Sequence, residues 1–295
     1  MDKLQFELSS NSKLNAVYFG LVLSGYEFAT INKQKNIFDI TKRIESYSAL
    51  DRTKDFFRFA RGNTCEVYPF WPRVALLESA LFFIENSSFS FVKYCDYVNS
   101  LSNITIEERS DDFFKWVKEF PQCLHEILKD ELFGEIDAQL TDIVNSLDIS
   151  MDMENLIAAL SAMQVDTGIQ KLAIKICPLK CCFSVDYFTR RNEMYVMLGD
   201  YLPHSIVHEY LHLVLHPLVQ KHKTHILSRF DSNTVDAHID QSYYLSGDKN
   251  GFINAFEEHL VRKASEKIAG GEEIDLETLI IGEGKNENTK NHIVC

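Results

Sequence analysis

A pentad, His208-Glu209-Tyr210-Leu211-His212, lies inside a long apolar run and narrows what this stretch can fold into. Ile206, Val207, Leu211, Val214 and Leu215 recur at a spacing that seats a helix in a core. Pro203 suits the first turn of that helix, and Pro217 is expected to end it. Side chains four apart on a helix lie about 40° from one another, so the two imidazoles can share one metal ion. The glutamate between them then points beside the ion, where it can polarise a bound water. A buried helix carrying these groups with no cation would hold poorly satisfied polar atoms, which is costly. His208 and His212 are therefore expected as metal ligands and Glu209 as the base. Histidines satisfied in a core or at the surface are the bland alternative.

The chain has 295 residues, enough for one large domain or two smaller ones with a substantial core. Its net charge of −13 argues against a general nucleic-acid or anionic-membrane surface, neither of which attracts an acidic protein. Met1 to Glu7 is charged where the apolar part of a secretory signal would stand, and no apolar stretch reaches membrane-spanning length. Seven cysteines are scattered without a framework pattern, which predicts reduced thiols and a cytoplasmic setting.

The pattern predicts an α+β chain: a mainly helical region over 1–165, a second region over 166–281, and a loose polar tail over 282–295. In the first region Leu4 to Leu8 alternates like a short strand, and Leu14 to Phe28 reads as an apolar helix despite Gly20 and Gly25. Arg73 to Ile84, Asp111 to Phe133 and Asp152 to Met163 also carry helical patterns. None of this region's residues points to chemistry beyond packing. From Lys171 the texture changes. Lys171 to Cys177, Cys182 to Tyr187 and Glu193 to Leu198 read as a small antiparallel sheet, with Arg190-Arg191-Asn192 as a turn. The pentad helix follows, then helices over Leu218 to Phe230 and Phe252 to Ala269.

A catalytic zinc takes three protein ligands and leaves one position open for water. The strongest source of a third ligand is Asn254-Ala255-Phe256-Glu257-Glu258-His259-Leu260-Val261-Arg262, where an acidic pair sits among apolar neighbours. Either carboxylate could serve, and a solvated charged face is the bland reading of both.

With the pentad, the strands before it and this acidic helix in view, residues 170–270 resemble the gluzincin metallopeptidases, the thermolysin-like group. The resemblance implies a zincin-like fold, with the sheet packed on the pentad helix and a glutamate on a later helix completing a Zn²⁺ site. Glu258, with Arg262 four places on, matches the family's spacing better than Glu257, although the family's usual partner there is acidic. The resemblance further implies a peptide or protein substrate lying extended along Glu193 to Leu198 as an edge strand. It also implies a side chain that steadies the oxyanion, for which Tyr243, Tyr244 and His238 are candidates.

The alternatives differ in the third ligand. A metzincin would need glycine at 215 and histidine at 218, where this chain has Leu215 and Leu218. Asp236 could ligate as in aspzincins, but the glycine and tyrosine of that motif are missing. His216, one turn past His212, suits a surface or supporting role. Cys177, Cys181 and Cys182 would give a deformylase-like or amidase-like zinc hydrolase, though buried thiols packing in a sheet are the simpler expectation. A non-catalytic peptide- or protein-binding module on the same fold is the remaining alternative, and an intact Glu209 argues against it.

Overall fold

A computed structural model describes residues 4–61, 71–86, 90–102, 111–149, 167–230 and 249–269, with a few positions between 155 and 160 and at 279–280. The chain is mixed α+β and mostly helical, and it divides into two compact units. One holds Lys3–Asp148 and Gln170–Tyr201; the other holds Ile149–Ile169 and Leu202–Cys295. The strands thus belong with the N-terminal helices, whereas the sequence grouped them with the pentad helix.

In the first unit, α1 (Ser12–Leu23) is the central element. Asn11 caps it, its side-chain oxygen accepting from the backbone N–H groups of Lys13 and Leu14 at 3.0 and 3.3 Å. Every residue from Leu14 to Leu23 is buried, as an all-round apolar helix demands. The helix stops short of the expected Phe28, because Gly25 takes φ +98° just past Ser24 and turns the chain. Around α1 pack α2 (Lys35–Glu45), α3 (Asp51–Arg61), α4 (Trp71–Glu85), α7 (Phe120–Leu128) and α8 (Glu131–Asn145). Gly20 is what lets α3 approach: a Cβ there would collide with the Phe57 ring.

The single helix expected over Asp111 to Phe133 is three. Helix α6 (Asp111–Val117) ends before Phe120, where Pro121 occupies the first turn of α7 rather than kinking a longer helix. Asp130 then starts α8, its carboxylate accepting from Phe133 N at 3.0 Å. Helix α5 (Phe91–Ser102) completes the described set in this unit.

The four strands are β1 (Gln5–Ser9), β2 (Lys171–Ile176), β3 (Val185–Arg190) and β4 (Glu193–Leu198), in the order β1-β2-β4-β3. Strands β1, β2 and β4 run parallel, and only β3 is antiparallel, joined to β4 by a turn with Arg191 at φ 55°. The expected antiparallel sheet is therefore a mixed one. The expected edge strand is also corrected. Glu193–Leu198 pairs with β2 on one side and β3 on the other, so its backbone has no free edge for a substrate. The two central strands are buried along almost their whole length, as strands covered on both faces must be.

In the second unit, the pentad helix spans Pro203–Lys221 and the acidic helix spans Lys249–Ala269, and the two pack against each other. Pro217 does not end the pentad helix but lies inside it. Its missing N–H forfeits one backbone bond, while Val214, Leu215 and Val219 stay buried on either side of it. A short helix, Lys223–Arg229, follows. Asp152 to Met163 lies mostly outside the described residues, and the polar tail lies wholly outside them. Among the described residues, no helix is long and apolar enough to cross a membrane.

Candidate metal centre

The pentad helix buries Ile206, Val207, Tyr210, Leu211, Val214, Leu215 and Val219, and the Tyr210 hydroxyl lies 3.0 Å from Thr167 Oγ1. With that face fixed, His208 and His212 come out together on an adjoining face, half-buried, their ring centroids 5.1 Å apart. The acidic helix presents Glu257 and Glu258 to them. Both carboxylates are buried at 7% exposure, which removes the reading of a solvated charged face.

Glu258 meets both rings. Its Oε2 lies 3.4 Å from His208 Nε2 and 3.3 Å from His212 Nε2, and its Oε1 accepts from Arg262 Nε at 2.8 Å. Glu257 meets the opposite ring nitrogen of His212 from the one that Glu258 meets. Its Oε1 lies 3.0 Å from His212 Nδ1 and its Oε2 lies 2.8 Å from His216 Nδ1. Of the acidic pair, only Glu258 joins the two histidines as a group able to hold one ion, with ligand atoms within 4.8 Å of one another.

The spacing fits a particular ion geometry. Four ligands at about 2.1 Å around a tetrahedral zinc stand about 3.4 Å from each other. The two nitrogen–oxygen separations at Glu258 match that edge and are longer than an ordinary N–H···O hydrogen bond of about 2.9 Å. Two imidazole nitrogens and one carboxylate oxygen are also a donor set that zinc accepts.

The electrostatics favour positive charge. Burial works against a charged His212, but the carboxylates of Glu257 and Glu258, with Glu209 nearby, raise its pKa to about 10. Burial likewise opposes an ionised Glu258, and His208, His212 and Arg262 outweigh it, holding the carboxyl well below the usual carboxylate range. A divalent cation entering here would therefore displace protons.

The other sequence candidates divide into two groups. Tyr243, Tyr244, His238 and Asp236 lie outside the described residues. Cys177 and Cys181 are fully buried in the first unit, and burial pushes the Cys177 thiol up to about 12, a poor state for a metal-binding thiolate. Arg262, paired with Glu258 in the sequence by its spacing alone, donates to the Glu258 carboxylate across one helical turn. Comparison with protein-family models, curated proteins and solved structures returned no match.

Proposed function

We propose that this chain is a zinc-dependent metallopeptidase, with His208, His212 and Glu258 as ligands and Glu209 as the general base. The observation that carries the proposal is Glu258 Oε2, which stands at tetrahedral-edge distance from both Nε2 atoms. Bound zinc would supply Lewis acidity, drawing a water's pKa towards about 7 and steadying negative charge on a carbonyl oxygen. Glu209 stands near enough to His212 for its charge to act on that ring, which supports a carboxylate beside the same centre. In this reading it takes the proton of the attacking water and returns it to the leaving nitrogen. Arg262 holds the far oxygen of Glu258 and leaves the near one to the centre.

The sequence resemblance favours peptides or proteins as substrates, the net charge of −13 disfavours nucleic acid and anionic membranes as partners, and the scattered cysteines favour a cytoplasmic setting. A cysteine-ligated hydrolase has less support, because a carboxylate already stands at the third corner.

A mixed peptide library read by mass spectrometry tests the proposal. Cleavage by the purified protein is expected, is expected to stop on chelation, and should return with about one equivalent of zinc, as the three-ligand site holds a single ion. Absence of cleavage, or cleavage indifferent to the chelator, would contradict it.

A further inference from the structure

Glu257 is buried, and both of its oxygens are engaged by ring nitrogens of the pentad helix: His212 Nδ1 at 3.0 Å and His216 Nδ1 at 2.8 Å. An ionised carboxylate only accepts hydrogen bonds, so each nitrogen facing it must carry the hydrogen. In the neutral ring that a metal binds, a hydrogen kept on His212 Nδ1 leaves the lone pair on Nε2, the atom 3.3 Å from Glu258 Oε2. A contact to His212 alone would let the carboxylate swing. The second contact, from His216, fixes its plane. His216 is itself 57% exposed, so its ring has little packing to explain where it sits.

Resting on the zinc reading above, we infer that Glu257 is a positioning residue rather than a ligand: braced by His216, it locks the ring and tautomer of His212 for metal binding. The acidic helix then steadies two ligands at once, His212 through Glu257 and Glu258 through Arg262. Outer partners of this kind typically account for 10–100-fold in metal affinity.

Zinc affinity of the full chain, measured by competition with a chromophoric chelator, tests the inference on wild type, Glu257→Gln, His216→Ala and the double variant. The zinc dissociation constant is expected to rise by about 10–100-fold in Glu257→Gln, and by a smaller factor in His216→Ala. The double variant should be no worse than Glu257→Gln alone, because His216 acts only through Glu257. Thermal unfolding of the metal-free forms shows which variants are folded. Should Glu257→Gln fail to fold, the exposed His216→Ala carries the test, and an unchanged constant there overturns the inference. Wild-type affinity in a folded Glu257→Gln, or effects that simply add in the double variant, would also overturn it while leaving the zinc reading intact. A wild-type chain that takes up no zinc would remove both.

Discussion

Replacing Glu209 by glutamine is expected to leave zinc binding in place and to lower turnover by about 10²–10⁴-fold, the range for a positioned general base. The substitution keeps the side chain's length and shape and removes only the ability to take a proton. None of the three proposed ligands changes, and the apolar face that seats the helix is untouched. A loss of that size corresponds to about 3–5 kcal/mol of transition-state stabilisation. Because the proton moves only in the transition state, kcat and kcat/KM should fall together, with KM little changed. Glu209 also adds its charge to the field that raises His212, so zinc affinity in the variant should shift only modestly. Turnover within tenfold of wild type would mean that another group takes the proton.

The second large effect concerns stability and lies in the first unit. Asp186 on β3 accepts from Arg73 at 2.7 Å and pairs with Lys180 at 2.9 Å, and all three side chains are buried or nearly so. Asp186→Asn is expected to destabilise the chain by about 3–5 kcal/mol, because two buried cations lose their counter-charge. Urea unfolding is the measurement. An exposed pair gives the control: Asp55→Ala, opposite Arg58 with more than half of each side chain exposed, should change stability by no more than about 1 kcal/mol. The acid response carries the same sign. Burial alone would push the Asp186 carboxyl up, but Lys180 and Arg73 outweigh it and hold it well below the usual carboxylate range. A depressed folded-state pKa means that the contribution is full above the unfolded value of about 3.9 and fades as pH falls below it. The wild type should therefore lose this contribution only in strong acid. Asp186→Asn should lack it at every pH, so the gap between the two closes as acid is added. A stability change under about 1 kcal/mol at neutral pH would contradict the account, since surface pairs alone reach that level.

What could be read from the sequence was local. The pentad helix and the spacing of His208 and His212 follow from a four-residue period, and the acidic helix from apolar neighbours around Glu257 and Glu258. The sheet was harder, because its pairing is not local. Strand β1 finds its partner more than 160 residues away, with Glu7 against Ala173. Sequence neighbours β2 and β3 do not pair at all, since β4 lies between them. Lys175 stands among the apolar residues of β2 and is buried there, its ammonium met by Glu7 and Ser9 of β1. Pro217 misled for a related reason: buried side chains on both sides carry the helix past it. The roles of Glu257 and His216 depend on the angle at which two helices meet, which no single segment encodes.

Metal analysis of the purified chain, combined with X-ray absorption at the zinc edge, addresses the central assignment most directly. One zinc per chain is expected, with nitrogen and oxygen neighbours at about 2.0–2.1 Å and no sulfur shell near 2.3 Å. A sulfur shell, or a chain that holds no zinc after incubation with the metal, would contradict it.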